Sequence, residues 1–239
     1  KDIHSIIKGI NTLLSEKGTA VIEFHYSKII QKELHYDSIY HEHLFYFTIK
    51  TITQLFKKYG LFTFDVDNSP ISGGSLVLYF SKTKKSLSKN LYNLIKEEKL
   101  KKINQFSTWK KFAVNSTKHA KRFKKTLQNL NNQKKIIGYG ASARSSTLLN
   151  FSEINSKLMS QVIDKNKLKK NKFTPGSAIK IVDYEDIIKD IKKFNTIIIL
   201  AWNFKKEIIS DLKSNGFEGE FILPLPYRIK KYENKKIKV

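Results

Sequence analysis

The fold is decided by the stretch Lys135-Ile136-Ile137-Gly138-Tyr139-Gly140-Ala141, an apolar run that predicts a buried strand ending in a glycine turn. Apolar runs of strand length alternate after it with segments of helix length. The strands are predicted at 160–164, 179–182, 195–201 and 220–223, and the helices at 143–151, 184–191 and 205–215. Alternation of this kind is typical of mostly parallel sheets. The sequence therefore predicts an α/β fold with a doubly wound parallel sheet over residues 133–239.

The preceding residues predict helices together with a few strands. The helices are expected at 3–14, at 48–59 and, as a Lys-rich linking pair, within 84–131; the strands are expected at 19–24, 61–66 and 75–80. Thr48 is placed to cap the second helix, and Gly60 to end it. The last two strands are joined so tightly that we expect them to be antiparallel.

Composition excludes several classes of site. The 239 residues include no cysteine, which rules out a disulfide framework, a thiolate metal site and a cysteine nucleophile. No apolar run approaches the ~20 residues needed to cross a bilayer, so we expect a cytoplasmic protein without a membrane partner. The first residues, Lys1 and Asp2, resemble neither a signal peptide nor a translation start, and we expect the chain to begin inside a longer protein.

The net charge of +24 leaves three interpretations open: solvated Lys-rich helix faces, attraction of a phosphorylated small molecule, and nucleic-acid binding. Residues 81–135 contain 17 basic and 2 acidic residues, so most of the excess lies in one segment. Of the 45 basic residues only three are arginines, Arg122, Arg144 and Arg228. Because base-reading proteins rely on Arg forks, we do not expect nucleic acid to be the partner.

Residues 40–47 interleave proton-handling side chains with aromatic ones, as Tyr40-His41-Glu42-His43-Leu44-Phe45-Tyr46-Phe47. Histidine titrates near neutral pH, a carboxylate can orient it, and aromatic walls can desolvate it, so the pattern favours a proton-transfer site. A metal site is the second interpretation, but zincins place their two histidines four residues apart on a helix. An aromatic core segment with satisfied histidines is the third. We predict no metal ligand in this chain.

Two glycine-containing stretches are candidates for ligand contact. Gly138-Tyr139-Gly140-Ala141-Ser142-Ala143-Arg144 joins a strand to a helix, where backbone N–H groups can bind phosphate, although the third glycine of the dinucleotide pattern is missing. Ser72-Gly73-Gly74-Ser75 opens a strand and can bring backbone close to a ligand. For each stretch, a plain turn is the alternative interpretation.

In order along the chain, these segments resemble one family. Tyr36-Asp37-Ser38-Ile39-Tyr40-His41-Glu42-His43-Leu44 is similar to the signature YDTIYHEHLSYFS of nucleotide-sugar C-methyltransferases of deoxysugar biosynthesis. The other similar segments, in the family's order and spacing, are 66–67 with 73–76, 139–143 with 147–150, and 173–176. Departures are Ser72 for His, Val77 for Arg, Ser142 for Pro and Arg144 for Lys, and they leave the identity of the sugar open.

The resemblance implies three parts for this chain: residues 1–82 as the end of a class I methyltransferase sheet domain, 83–132 as a helical linker, and 133–239 as a Rossmann-like domain. Zinc is expected only in a Cys-rich N-terminal module, and most of the S-adenosylmethionine site in the preceding half of the methyltransferase domain. Both are expected to lie outside this chain. That half is expected as a partner, in the same protein or in a separate chain.

The resemblance also implies the function, S-adenosylmethionine-dependent methylation of a carbon in a nucleotide-diphosphate keto-deoxysugar through an enolate. His43 is the expected base, Tyr40 and Glu42 are expected to orient it or stabilise the enolate, and His41 is expected to be structural. The expected substrate-binding residues are Gly73, Gly74, Ser75, Tyr139, Gly140, Ala141 and Arg144. The alternative function is a non-catalytic module that binds a nucleotide sugar.

Overall fold

The computed structural model describes residues 2–131, 135–226 and 228–232. By compactness, the chain divides into two units, each built from two segments. Unit 1 contains Lys1–Lys32 and Phe45–Phe112, and unit 2 contains Glu33–Leu44 and Ala113–Val239. The predicted divisions after residues 82 and 132 differ from this grouping and stay predictions; the second of them lies outside the described residues. No helix in the described ranges combines the length and the apolar character that a membrane span requires.

The described elements follow the predicted order closely. The helices are α1 Ile3–Leu13, α2 Ser27–Glu33, α3 Ile49–Lys57, α4 Lys89–Leu100, α5 Phe106–Asn131, α6 Ala143–Phe151, α7 Tyr184–Ile188 and α8 Lys205–Ser214. The strands are β1 Ala20–His25, β2 Phe62–Ser69, β3 Ser75–Ser81, β4 Ile136–Tyr139, β5 Gln161–Asp164, β6 Lys180–Asp183, β7 Thr196–Ile199, β8 Glu220–Leu223 and β9 Lys230–Tyr232. Helix α2 and strand β9 were not predicted from the sequence.

Unit 1 is built around a three-stranded sheet of order β1-β3-β2. Strand β3 is antiparallel to both neighbours, which confirms the predicted antiparallel pair. The predicted cap of α3 is also confirmed, because Thr48 and Thr51 form a reciprocal capping box, and Gly60 follows the helix at φ +74°. Phe56 of α3 stacks on Phe80 of β3, with ring centroids 4.2 Å apart, so the helix is anchored to the sheet through its apolar face.

A buried carboxylate completes the start of α3. Glu98, on α4, is only 3% exposed, and its Oε1 accepts hydrogen bonds from the Tyr26 hydroxyl at 2.8 Å and the Ile49 N–H at 2.7 Å. Its Oε2 accepts from the Lys50 N–H at 3.2 Å. Helix N-termini leave N–H groups without intrahelical partners, and a negative charge there interacts favourably with the positive end of the helix dipole. Glu98 therefore ties α4, α3 and the residue after β1 together.

We predict that Glu98→Gln lowers the free energy of unfolding by about 1–3 kcal/mol, because the amide places an N–H donor against groups that are themselves donors. Denaturant titration of the purified chain measures this change. The matched control is Glu16→Gln, which removes one charge from an exposed ion pair with Lys82 and should change stability little. Equal stability of the two variants would contradict the role given to Glu98.

Unit 2 contains a six-stranded sheet of order β6-β5-β4-β7-β8-β9. The first five strands are parallel, and β9 pairs with β8 in the antiparallel direction. Counted from β4, this order is 3-2-1-4-5-6, which is the order of the doubly wound Rossmann fold. The α/β prediction is thereby confirmed. The expectation that residues 220–223 form the last strand is wrong, since β9 continues the sheet after them.

The order of strands reverses between β4 and β7, which lie side by side in the sheet. In doubly wound sheets, ligands bind outside the carboxyl ends of the strands at this reversal. Gly140 is the first residue after β4, and Ala201 is the second residue after β7. Gly140 has φ +98°, and a Cβ on it would lie 2.6 Å from the Cβ of Ala201, so only glycine fits this close approach.

Candidate functional site

The segment 33–44 is fixed to the rest of unit 2 through Asp37, which lies in the 3-10 helix Tyr36–Ser38. The Asp37 side chain is 1% exposed. Its Oδ2 accepts from Arg144 Nε at 3.0 Å and from the indole Nε1 of Trp202 at 2.9 Å, and its Oδ1 accepts from Arg144 Nη2 at 3.0 Å. Arg144 lies in the first turn of α6, and Trp202 follows β7 closely. The segment is therefore held beside the sheet reversal.

Aromatic contacts complete this attachment. The guanidinium carbon of Arg144 lies 4.7 Å from the Trp202 ring centroid, in the range of a cation–π contact. On the same indole, the buried His35 ring packs with its centroid 4.6 Å away. Trp202 thus contacts the Asp37 carboxylate, the Arg144 guanidinium and the His35 ring. The N–H donors that the sequence predicts for Arg144 are directed to Asp37.

His43 and Tyr40 form a hydrogen-bonded pair in the turn that follows. The Tyr40 hydroxyl lies 2.9 Å from His43 Nε2, and His43 Nδ1 lies 2.8 Å from the Ser38 carbonyl oxygen. Because a carbonyl only accepts, Nδ1 must carry a hydrogen. In the neutral ring Nε2 is then the basic nitrogen, and Tyr40 donates to it. The geometry defines one tautomer of a partly buried imidazole, with its lone pair directed at a hydroxyl.

The residues around the His43–Tyr40 pair differ in burial: Tyr40 is partly buried, whereas its neighbours in sequence are exposed. Burial raises the pKa of Tyr40 above its usual value, and the Glu42 carboxylate raises it further, so the hydroxyl stays protonated and available as a donor. Glu42 and His41 are themselves exposed. The His41 ring contacts the outer side of Tyr40, with centroids 6.1 Å apart. Glu42 therefore acts on the pair through charge, with no direct hydrogen bond to His43 in the described contacts.

A second tyrosine–histidine pair anchors the other end of the 3-10 helix. The Tyr36 hydroxyl lies 2.9 Å from His119 Nδ1, and His119 Nε2 lies 2.7 Å from the Pro224 carbonyl. Here Nε2 carries the hydrogen, the reverse of His43. His119 is 3% exposed, and burial lowers its pKa. This neutral imidazole joins the segment 33–44 to α5 and to the residue after β8.

We predict that stability falls as the pH drops below about 6.5, because the unfolded chain accepts a proton at residue 119 that the folded chain resists. His119→Gln keeps an N–H near the Pro224 carbonyl and removes the titration. The free energy of unfolding should then depend less steeply on pH between 7 and 5, by at most ~1.4 kcal/mol per pH unit. Denaturant titrations at several pH values measure the slope. His41→Gln, at an exposed position, is the control; an unchanged slope in His119→Gln would contradict the prediction.

A cavity of about 440 Å³ opens at the sheet reversal. Two of the predicted substrate-binding residues, Tyr139 and Gly140, line it, together with carboxylates of Asp164, Glu207 and Asp211. Burial raises the pKa of Tyr139 above its usual value, with a further contribution from the Asp211 charge, so its hydroxyl is neutral. The cavity has the position of a nucleotide site in this fold, but its walls carry acids near the turn.

The turn itself uses part of its hydrogen-bonding capacity within the protein. The Ala141 N–H donates to Asp164 Oδ2 at 2.8 Å, and the Ser145 N–H donates to the Ser142 hydroxyl at 3.1 Å. Lys169 Nζ reaches the Ala141 carbonyl at 2.8 Å. The predicted substrate residue Ala141 is therefore bound to neighbouring protein groups on both sides of its peptide.

The remaining predicted substrate residues, Gly73, Gly74 and Ser75, belong to unit 1 and are described within it. Gly73 and Gly74 have φ values of +85° and +139°, and a Cβ on Gly74 would lie 2.8 Å from Ile29 Cγ2. The buried Ser75 donates to the Ile71 carbonyl at 3.1 Å. The glycine pair thus satisfies a backbone requirement of the turn before β3.

Comparison with known families identifies the chain. Residues 70–226, more than half of its length, match the family described as C-methyltransferase C-terminal domain. The chain belongs to this family. It is also 29% identical over 231 residues to C-methyltransferase NovU of Streptomyces niveus. The match covers 94% of this chain and 54% of NovU, so the chain spans about half the length of this curated relative.

Members of a C-methyltransferase family require a methyl donor, for which the resemblance implies S-adenosylmethionine. Among the described residues, the turn after β4 is the segment most similar to a nucleotide-binding loop. There the Ala201 side chain lies directly beside Gly140, and the Asp164 carboxylate accepts the hydrogen bond of the Ala141 N–H. The contact with Asp164 takes up an N–H group that such a loop would otherwise offer to a ligand. Among the described residues, no three His, Asp or Glu side chains converge as metal ligands.

Sequence reasoning found the His43–Tyr40 pair but missed the residues that hold it. Asp37 lies inside the recognised signature and was given no role, and Trp202 and His119 are 165 and 83 residues away from their partners Asp37 and Tyr36. The sequence contains a partial signal, because Asp37 is an isolated acid beside Tyr36 in an aromatic segment, and such an acid needs a hydrogen-bond donor if it is buried. The identity of that donor is set by the tertiary fold.

Proposed function

We propose that this chain supplies the proton-transfer site for methylation of a carbon in a nucleotide-diphosphate keto-deoxysugar. The observation that carries the proposal is the hydrogen-bonded pair of His43 and Tyr40, with the His43 lone pair on Nε2. The family membership supports methyl transfer to carbon in general terms. The sugar, its keto group and the methyl donor are parts of the proposal.

A carbon next to a ketone is acidic because its anion delocalises onto the carbonyl oxygen as an enolate. His43 Nε2 removes that proton when the substrate displaces or shares the Tyr40 hydroxyl, and the imidazole becomes an imidazolium. The Nδ1–H bond to the Ser38 carbonyl persists in both protonation states and stabilises the charged ring. Tyr40, neutral because of its raised pKa, is placed to donate to developing negative charge on oxygen.

The donor would provide an electrophilic methyl group, and the enolate carbon is the nucleophile that such a group requires. No described residue of this chain is assigned to the donor. The roles proposed here are therefore proton removal by His43, charge stabilisation by Tyr40, and an electrostatic contribution from Glu42. Gly73, Gly74, Ser75, Tyr139 and Gly140 remain the proposed contacts for the rest of the substrate.

We predict that His43→Asn lowers the rate of methyl transfer ~10²–10⁴-fold, because asparagine keeps a donor for the Ser38 carbonyl but has no base. Transfer of labelled methyl from S-adenosylmethionine to a nucleotide-linked keto-sugar, catalysed by the protein carrying its donor-binding part, measures the rate. His41→Asn, two residues away and exposed, is the matched control and should retain the wild-type rate. A His43→Asn protein with the wild-type rate would sink the proposal.

A non-catalytic nucleotide-sugar module is the second candidate, favoured by the match to only half of NovU and by the cavity beside Tyr139 and Gly140. Calorimetry measures binding, which both candidates expect to be unchanged by His43→Asn, and the methyl-transfer assay separates the two candidates. A module binds a nucleotide-diphosphate sugar with equal affinity in wild type and His43→Asn, and no methyl transfer appears when the donor-binding part is present. The catalytic proposal expects similar binding of the nucleotide sugar in both proteins, methyl transfer by the wild type, and a greatly reduced rate of methyl transfer in His43→Asn.

A further inference from the structure

We infer that Arg144 and Asp37 are positioning residues for the His43–Tyr40 pair, and that Arg144 does not contact the substrate. This inference rests on the proposed function and deepens it. The resemblance places Arg144 among the substrate-binding residues, where a lysine is usual. The structure instead directs its guanidinium to a buried carboxylate and stacks it on Trp202.

The Arg144 guanidinium is already bound to a partner within the protein, the Asp37 carboxylate. Nε and Nη2 of Arg144 both donate to Asp37 at 3.0 Å, one to each oxygen, which is the bidentate geometry that arginine forms and lysine cannot. The Arg144 side chain is 15% exposed, and that of Asp37 is 1% exposed. A substrate phosphate competing for Arg144 would leave a buried carboxylate without its counter-charge, which is strongly unfavourable.

The ion pair of Arg144 and Asp37 acts one residue away from the carbonyl that binds the His43 imidazole. Asp37 precedes Ser38, whose carbonyl accepts the His43 Nδ1–H at 2.8 Å. The orientation of that carbonyl sets which nitrogen of His43 is protonated, because one ring nitrogen is fixed by the hydrogen bond of the other. A fixed Asp37 therefore fixes the Ser38 carbonyl, the tautomer of His43, and the direction of its basic Nε2.

The other polar attachments of the segment do not replace the ion pair of Arg144 and Asp37. Tyr36 is held separately through His119. Ser38 bonds its own hydroxyl to the His35 carbonyl at 2.7 Å, a contact within the segment. The His35 ring also packs on Trp202, and the Tyr36 ring packs on Phe151 of α6. In the described hydrogen bonds, the Asp37 carboxylate is the group that joins this segment to both Arg144 and Trp202.

The experiment measures the tautomer of His43 directly, by nitrogen-15 correlation spectra of the histidine rings in the whole protein. The wild type should show His43 with its hydrogen on Nδ1 and His119 with its hydrogen on Nε2, so the two rings report separately. Arg144→Met and Asp37→Asn should move His43 toward a mixture of tautomers. Arg144→Lys, which keeps the charge without the fork, should restore only part of the wild-type signal.

Two further variants keep the test decisive. The double variant Asp37→Leu with Arg144→Met removes both charges together, so it folds without a buried unpaired charge if a single variant does not. Lys124→Met is the matched control, because it breaks an exposed ion pair with Glu153 in the same unit. The control should leave the His43 signals unchanged, while the double variant should lose the Nδ1–H tautomer.

Kinetics then distinguish positioning from substrate contact. A positioning role lowers kcat roughly 10–100-fold with KM for the nucleotide sugar unchanged, since misplacement of a reacting group affects the chemical step. A rise in KM at unchanged kcat in Arg144→Met, or wild-type His43 signals in the folded double variant, would overturn the inference. If no methyl transfer occurs in wild type, the proposed function fails, and the ring spectra still decide whether Arg144 and Asp37 orient His43.

Discussion

The position of segment 33–44 within unit 2 depends on one buried carboxylate, that of Asp37, and on the three hydrogen bonds that it accepts from Arg144 and Trp202. A carboxylate that is 1% exposed is tolerated only when charge and hydrogen bonds compensate its desolvation. Here the compensation comes from residues 107 and 165 positions further along the chain. The candidate proton-transfer pair is therefore carried on a segment whose position is set by the Rossmann-like sheet.

Unit 1 uses the same device for a different purpose. Glu98 is a buried carboxylate as well, but it accepts from the backbone of Ile49 and Lys50 and from the Tyr26 hydroxyl. It binds a helix terminus, whereas Asp37 binds side chains. Backbone N–H groups are present whatever the sequence, whereas the donors to Asp37 exist only if Arg and Trp occupy the right positions. The site of Asp37 therefore tolerates fewer substitutions at its partner positions than the site of Glu98.

What the sequence predicted well is what depends on neighbours in the chain. Helix α6 has the bounds expected from its pattern, and Thr48 caps α3, because periodicity and capping are local properties. The sequence did not reveal β9, whose pairing with β8 depends on an edge that exists only after the sheet forms. It also did not predict the contact between Arg144 and Asp37, since a basic residue after a glycine turn is typical of a phosphate donor until the buried acid facing it is known.

The two tyrosine–histidine pairs show why residue type alone does not identify a catalytic base. Each pair joins a tyrosine hydroxyl to one ring nitrogen and a backbone carbonyl to the other, with opposite tautomers. His119 is buried and its pKa is lowered, so it is a neutral residue that joins Tyr36 to the Pro224 carbonyl. His43 is only partly buried and its partner Tyr40 belongs to the same turn, so a ligand can displace that hydroxyl without unfolding the segment. The difference in burial of the two rings, and not the pairing itself, separates the structural contact of His119 from the role proposed for His43.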